Sequence, residues 1–412
     1  MAQPNTIFVQ IAAYRDPLLV STIQHLLSNA KNPENITICI AWQHSPDEKI
    51  DEIKDLPNVK ILDIPHDKTG GCCWARNLIQ QQYTNEKYSL CLDSHHRFTP
   101  NWDETCINML EELRAKGHEK PLLTSYIPSF NPETYPAGRT EVPWLMNFDR
   151  FIPEGAVFFL PATIPNWQSY NSPLPARFLS AHFIFTLGQW NKEVIYDPHY
   201  YFHGEEINLA VRSFTHGYDL FCPHKVICWH EYTRKGRTKH WDDAPKWGEQ
   251  NKESHLRNRK LFGMDNEVQD IDFGIYGFGT KRTLRDYELY AGISFKNRSV
   301  QQYTLENKIA PNPPVENWEA SLTRRFKHCI DAHRPQFTET DYDFWCVAFK
   351  AADGRDLYRK DANLEEVKAC LAGDDQWVKI WREFDVVEKP ASWIVWPHSM
   401  SKGWCNQIIG KL

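Results

Sequence analysis

The sequence predicts an α/β protein with a mostly parallel β-sheet, followed by a small β-rich unit. Over the first hundred residues, short apolar runs alternate with amphipathic segments. This alternation is typical of βαβ units, in which helices cover both faces of a parallel sheet. From about residue 336 the pattern changes to short alternating runs separated by Gly and Asp, which predicts the β-rich unit. Ligands of parallel sheets bind beyond the carboxyl ends of the strands.

The elements of the predicted sheet follow in order. The runs "TIFVQIA", "NITICIAW", "VKILDI" and "YSLCLD" predict strands. Helices are predicted in "DPLLVSTIQHLLSNAKNP", with Asp16 as N-cap and Pro17 in the first turn, in "CCWARNLIQQQY" and in "TPNWDETCINMLEEL". Residues 127–178 are rich in proline and aromatic residues without a clear period, which predicts a long loop region.

The chain of 412 residues is too long for one small core. We expect a large α/β domain over 1–300, a connecting segment over 301–335 and a β-rich unit over 336–412. "DFWCVAFK", "WVKIWREFDVV" and "SWIVWP" supply the alternating runs of that last unit.

Composition excludes several classes of protein. A net charge of −6 and the absence of a long basic run argue against nucleic acid as the main partner. No apolar run of about 18 residues occurs, so no membrane span is expected, and the N-terminus has no signal-peptide pattern. Several of the 11 cysteines lie inside apolar runs, where they read as buried hydrophobes. That usage favours a reducing compartment, and we expect a cytoplasmic protein.

Polar side chains follow two of the predicted strands. Asp93 and His95 end "LCLDSHH", and His230 ends "KVICWH". A carboxylate with imidazoles suits Mn²⁺, and Arg234 or Lys235 would neutralise phosphate beside His230. The alternative is that the first group is a solvated turn and His230 an isolated histidine.

Glu205 and Glu206 begin a predicted helix in "HGEEINLAVRSFTHG". Acids are favoured in a first turn by the helix dipole, which also predicts low pKa values for them. The competing interpretation is that two adjacent acids orient a reacting hydroxyl. No dinucleotide fingerprint, P-loop, zinc-protease motif or nucleophile elbow is present.

Several stretches, taken in order, resemble glycosyltransferase family 60, whose members have the GT-A fold. They are "IAAYRDP", "GGCCWARN", "LCLDSHHRF", "HGEE", "CWHEYTR", "HWDD" and "YGFGTKRTLRDYELYAGISF". The resemblance covers about residues 5–300. It implies a UDP-sugar donor, usually UDP-GlcNAc, a divalent cation such as Mn²⁺, and retention of the anomeric configuration.

The resemblance also implies roles for individual residues. Histidine at position 95 departs from the usual D-x-D metal pair, which leaves the identity of the ion open. The implied roles are metal ligation by Asp93, His95 and His230, uridine contacts by Ala12, Tyr14 and Arg15, a nucleotide or donor-sugar contact by Arg76, and positions flanking donor sugar and acceptor for Glu205 and Glu206.

Two functions therefore remain in view. The first is a metal-dependent retaining enzyme that moves GlcNAc from UDP-GlcNAc to a hydroxyl of protein hydroxyproline or of a glycan, by attack on the same face that UDP leaves. The second is a sugar- or partner-binding protein on the same fold without catalysis. In either, Trp393, Trp396 or Trp404 would meet a glycan or pack inside the protein.

Overall fold

The computed structural model describes residues 5–386 and 388–412. They form two compact units. One runs to Lys296 and includes Tyr303–Pro314, and the other consists of Asn297–Gln302 and Val315–Leu412. Within the described ranges, none of the helices has the length and apolar character needed to cross a bilayer.

The first unit contains most of the regular elements. Its strands are β1 (Ile7–Tyr14), β2 (Ile36–His44), β3 (Val59–Pro65), β4 (Tyr88–Asp93), β5 (His96–Phe98), β6 (Pro121–Thr124), β7 (Trp144–Phe151), β8 (Val157–Thr163), β9 (Leu174–Pro175), β10 (Phe183–Leu187), β11 (Asp219–Cys222), β12 (Cys228–His230) and β13 (Ile293–Ser294). Helices along the chain are α1 (Leu19–Asn29), α2 (Asp51–Lys54), α3 (Cys72–Gln80), α4 (Trp102–Ala115), α5 (Trp190–Glu193), α6 (Glu205–Thr215), α7 (His240–Asp243), α8 (Trp247–Phe262), α9 (Leu284–Ala291) and α10 (Gln302–Leu305).

The main sheet has the strand order β3-β2-β1-β4-β10-β6-β11-β9. Strands β1 to β4 run parallel, and β10 is antiparallel to both of its neighbours. Alternate residues of β1 face opposite sides: Val9 packs in the core that contains α1 and α4, whereas Phe8 packs in the core that contains α3. Both faces of the sheet are therefore covered, and the predicted α/β class with a mostly parallel sheet is confirmed.

Part of the predicted loop region is a β-hairpin. Strands β7 and β8 pair antiparallel, with Phe148 opposite Phe159 and a register shift between Phe148 and Arg150. The loop expectation was wrong over these strands. The charged pair Asp149 and Arg150 interrupts the apolar alternation of β7, and Pro161 interrupts that of β8, so the period-2 pattern is not visible in the sequence.

The described part of the second unit contains antiparallel strands and an α-helix. Its elements are β14 (Ser299–Gln301), β15 (Leu322–His333), β16 (Tyr342–Lys350), β17 (Asp356–Arg359), α11 (Leu364–Leu371), β18 (Trp377–Val386), β19 (Ser392–Ser399), β20 (Gly403–Trp404) and β21 (Ile408–Lys411). Strand β15 pairs with β14 and β18, and β16 pairs with β17 and β19. The predicted β-rich C-terminal unit is thus present. The domain limits remain a prediction, but the expected connection 301–335 contains β15, whose many charged residues hide its strand pattern.

The core of the second unit explains its strand pattern. Strand β18 alternates strictly between exposed and buried residues, and its inward side chains pack with the fully buried Trp345. The three tryptophans singled out from the sequence differ in environment. Trp393 belongs to the core, Trp396 is partly buried, and Trp404 is 46% exposed.

Candidate active site

An acid and two histidines meet beyond the carboxyl end of β4. The Oδ2 atom of Asp93 lies 3.2 Å from Nε2 of His230 and 3.7 Å from Nε2 of His95. One ligand atom from each of the three residues lies within 4.8 Å of the other two. In the described part of the chain, this is the group of acids, cysteines and histidines whose spacing suits a shared metal ion. The sequence prediction brought together the same three residues, and we call them the metal triad.

Two strand pairings place the metal triad. Asp93 ends β4 beside Ala12 of β1, its partner in the parallel register. Strands β5 and β12 then pair antiparallel, with His96 opposite His230. This pairing carries the end of the late strand β12 to the turn that holds His95. Ala12, predicted to contact uridine, is therefore next to the triad at the sheet edge.

Buried partners hold two members of the triad in place. Arg76, which is 1% exposed, donates to Oδ1 of Asp93 at 2.6 Å, to the Leu92 carbonyl oxygen and to the Cys91 sulfur. His230 and this guanidinium keep the pKa of Asp93 well below its ordinary value, against the opposing effect of burial. Arg76 was predicted to meet the nucleotide or sugar. The structure shows its two terminal nitrogens on the strand end and on Asp93, while its Nε atom is buried and has no hydrogen-bond partner, so the nucleotide or sugar contact stays a prediction.

Asp16 supports His95 from the side away from Asp93. Its Oδ2 atom lies 2.7 Å from Nδ1 of His95 and accepts a hydrogen bond from the Ser94 hydroxyl at 2.6 Å. Its Oδ1 atom accepts from the Leu18 N–H in the turn before α1; the predicted N-cap position was wrong, because the N-cap of α1 is Leu18. A carboxylate on one ring nitrogen leaves the other free to bind a metal, and here the other nitrogen faces Asp93.

Aromatic and histidine rings surround the buried His230. The His182 ring stacks on it, with centroids 4.4 Å apart, and Tyr232 packs edge-on. Nε2 of His182 accepts the Ile127 N–H. Burial lowers the pKa of His230 to about 4, although its contact with Asp93 opposes the shift, so this imidazole is neutral at pH 7. Sequence reasoning missed His182, because nothing in "FLSAHFIFT" separates it from a core histidine.

The cation predicted from sequence fits this donor set. One carboxylate oxygen and two imidazole nitrogens are ligands that borderline divalent ions such as Mn²⁺ accept. The Nδ1 atom of His230 is buried and has no hydrogen-bond partner, so Nε2 is the nitrogen that faces the triad. Metal binding by neutral imidazoles also agrees with the lowered pKa of His230.

Glu205 and Glu206 begin α6 as predicted, but their pKa values are not low. Burial raises the pKa of Glu206 to about 7 and that of Glu205 well above its ordinary value. The expectation of low values was wrong because loss of water outweighs the helix dipole. Glu206 is also held: its oxygens accept hydrogen bonds from the Ser180 hydroxyl at 3.0 Å, the Ala181 N–H at 3.1 Å and the Tyr126 hydroxyl at 3.4 Å.

Two of the three residues predicted to contact uridine, Tyr14 and Arg15, are bound to helix α7. One oxygen of Asp243 accepts from the Tyr14 hydroxyl and from Nη1 of Arg15, both at 2.8 Å. Arg15 also contacts Glu48 at 3.3 Å. Helix α7 is anchored by His240, which contacts Thr69 and Tyr201. Asp243 therefore takes the hydrogen bonds that Tyr14 and Arg15 could otherwise donate to a ligand.

The cations predicted to neutralise phosphate make contacts away from the triad. The Arg234 guanidinium lies over the rings of Phe202 and Trp241, and Lys235 is highly exposed and reaches Glu133. The cation that does reach the triad is Arg237. Its side chain is 10% exposed and contacts Oδ2 of Asp16 at 3.1 Å, Oε2 of Glu231 at 2.9 Å and the Nδ1 atom of His95. Sequence reasoning did not single it out.

A family model agrees with this combination of sheet and site. Residues 6–57 and 48–297 match the model described as Glycosyltransferase (GlcNAc). The protein is a glycosyltransferase. It belongs to the Glycosyltransferase (GlcNAc) family. A narrower assignment to family 60 is not made by this match.

Comparison with other proteins gives weaker likenesses. No curated protein matches the sequence. A structure of GalNAc-T7 with UDP, GalNAc and Mn²⁺ is similar over 69% of this chain, at 14% identity and a TM-score of 0.46, and this chain covers 54% of it, about half its length. A structure of S. aureus TarS 1-349 with UDP-GlcNAc is similar over 64% of this chain and 68% of that one, at 13% identity and a TM-score of 0.40.

Proposed function

We propose that this glycosyltransferase moves GlcNAc from UDP-GlcNAc to an acceptor hydroxyl, with a divalent cation and with retention of the anomeric configuration. One observation carries the proposal: Asp93, His95 and His230 converge at the carboxyl edge of the sheet, where such folds bind ligands. The family description supports GlcNAc as the sugar, and the resemblance to family 60 supports UDP and retention. Mn²⁺ is the proposed ion because the donor set combines one oxygen with two nitrogens.

The chain's own groups prepare the site for a nucleotide diphosphate. A divalent cation held by the triad would stabilise the charge that develops on UDP as the anomeric C–O bond breaks. Arg76 keeps Asp93 ionised and leaves its Oδ2 atom directed at the two histidines. Tyr14 and Arg15 at the end of β1 are the proposed uridine contacts, once Asp243 releases them.

The two glutamates support transfer on the face that UDP leaves. A double displacement needs an ionised carboxylate that is free to reach the anomeric carbon. The raised pKa of Glu205 favours its neutral acid, and Glu206 already accepts three hydrogen bonds. Both are better partners for hydroxyls than nucleophiles. We therefore assign one glutamate to the donor-sugar hydroxyls and the other to the acceptor, while a phosphate oxygen takes the acceptor proton.

The resemblance to family 60 also supports the proposed acceptors, and the cysteines support the proposed compartment. A protein hydroxyproline and a glycan hydroxyl are the two acceptors proposed. All eleven cysteines are free, which supports a reducing compartment such as the cytoplasm.

Release of UDP from UDP-GlcNAc tests the proposal. We expect release by the wild-type protein with Mn²⁺, its loss with a chelator, and a loss of at least 10²-fold in Asp93→Asn, which keeps the side-chain shape beside Arg76. The exposed Asp374 supplies the control, since Asp374→Asn should release UDP at the wild-type rate.

Three results would contradict the proposal or a part of it. If Asp93→Asn released UDP at the wild-type rate, and a chelator did not slow that release, the assignment of the metal ligands would be wrong. A glycosyl adduct on Glu205 or Glu206, seen by intact-protein mass spectrometry, would replace same-face transfer by double displacement. No UDP release with any divalent ion, in a protein that binds UDP, would favour a binding protein without catalysis.

A further inference from the structure

Arg237 lies against the metal triad in a position that the proposed chemistry has not used. Its guanidinium meets the Nδ1 atom of His95, on the side of the ring opposite the nitrogen that faces Asp93. We propose that Arg237 binds the diphosphate of the donor beside the cation, and that Arg234 and Lys235 do not. This inference rests on the proposed function.

The position of Arg237 is fixed by two buried acids. The side chains of Asp16 and Glu231 are each 3% exposed, and each takes one terminal nitrogen of the guanidinium. The backbone N–H of Glu231 also bonds the His95 carbonyl oxygen at 3.1 Å. The arginine is therefore held at one place next to the triad, rather than moving with a surface loop.

The remaining donor capacity of Arg237 suits phosphate. A guanidinium has five N–H donors in a planar fork that matches two phosphate oxygens. The Nε atom of Arg237 is buried and has no hydrogen-bond partner. A buried donor without a partner is costly, and a second ligand at this edge of the guanidinium would satisfy it.

The charges of the site also favour a diphosphate beside Arg237. Asp16, Asp93 and Glu231 contribute three negative charges, and Arg76 and Arg237 contribute two positive charges, so these five side chains sum to one negative charge. A divalent cation binds favourably to that sum and makes it positive by one. The same group then attracts a diphosphate, and Arg237 is the protein cation beside it.

The other candidates have different partners. The Arg234 guanidinium lies 5.4 Å from the centre of the Trp241 ring, and Lys235 is 79% exposed and pairs with Glu133. Arg234 and Arg237 belong to the same short segment, which makes Arg234→Gln a matched control for Arg237→Gln.

Titration calorimetry with UDP and with uridine, both with Mn²⁺ present, tests the inference. We expect Arg237→Gln to weaken UDP binding by about 10- to 100-fold, the range for a lost charge-assisted hydrogen bond, with uridine binding unchanged. Arg237→Lys keeps the charge without the fork and should fall between Arg237→Gln and the wild type. Arg234→Gln should bind UDP as the wild type does.

A second readout separates phosphate binding from a structural role. Without nucleotide, Arg237→Gln should bind Mn²⁺ several-fold more tightly, because a positive charge next to His95 has been removed. Structural damage would weaken both ligands together. UDP binding at the wild-type affinity in both Arg237 variants, or equal losses for UDP and uridine, would overturn the inference. If the wild-type protein binds no UDP with Mn²⁺, the proposed function itself fails.

Discussion

The raised pKa of Glu206 predicts that this one carboxyl makes the first unit less stable as the pH rises. Its pKa is about 7 in the folded protein, against an ordinary value of 4.5. Between these two values the folded chain holds a proton that the unfolded chain has lost. Folding stability therefore falls as the pH rises from 4.5 to 7 and changes no further above 7.

The size of the effect follows from the shift. A difference of about 2.5 units, at about 1.4 kcal/mol per unit, gives about 3 kcal/mol. Glu206 is partly exposed, and solvent screening reduces the effect, so we expect about 1–3 kcal/mol. Glu206→Gln removes the titration, and its amide oxygen still accepts from Ser180 and Ala181. The variant should be more stable than the wild type at pH 8, and the two should be nearly equal near pH 4.5.

The assay must follow the first unit alone, because a chain with two compact units need not unfold in one step. Pulsed hydrogen exchange with mass spectrometry across a urea series reports unfolding of peptides from α6. The control is Glu253→Gln on the exposed side of α8, which makes the same chemical change outside α6. An equal stability difference between Glu206→Gln and the wild type at pH 5 and pH 8 would refute the reasoning.

Three further predictions concern other parts of the chain. Asp16→Ala should lower Mn²⁺ affinity by about 10- to 100-fold through loss of the His95 contact, measured by calorimetry; an unchanged affinity would contradict it. Asp243→Asn should tighten UDP binding a few-fold by releasing Arg15, and weaker binding would be the contrary result. Trp345→Ala should lower the free energy of unfolding of the second unit by about 3–5 kcal/mol and leave UDP affinity unchanged, as hydrogen exchange and calorimetry would show.

The metal triad could be predicted from the sequence because ligands of a parallel sheet bind beyond the carboxyl ends of its strands. Asp93 and His95 follow an apolar run, and the carboxyl end of such a run is the ligand edge. The link to His230 was predicted from its place at the end of a late apolar run, and the resemblance to family 60 implied the same role. The structure explains it by the pairing of β5 with β12, which no local pattern of three-residue strands reveals.

The partners of the triad were beyond sequence reasoning for a different reason. Asp16 has the local pattern of a helix cap, and it does accept from Leu18, so its second role at His95 leaves no trace in the sequence. Arg237 lies among several basic residues in "EYTRKGRTKH", and composition cannot tell which of them turns inward. That choice depends on two buried acids, Asp16 and Glu231, one of which is more than 200 positions away.

At the two glutamates of α6, burial has a larger effect on the pKa than the helix dipole does. A carboxylate in the first turn of a helix gains about 0.3–1 kcal/mol from the dipole when exposed. Burial opposes ionisation by several pKa units in the interior of a protein, and the charge of Asp93 adds to the effect of burial on both acids of α6. The larger effect wins: Glu205 favours its neutral acid, and Glu206, with a pKa of about 7, is about half protonated at neutral pH. An acid that keeps its proton can donate to a sugar hydroxyl or a phosphate oxygen, whereas it cannot attack the anomeric carbon. The same raised pKa that contradicts the local expectation thus strengthens the case for same-face transfer.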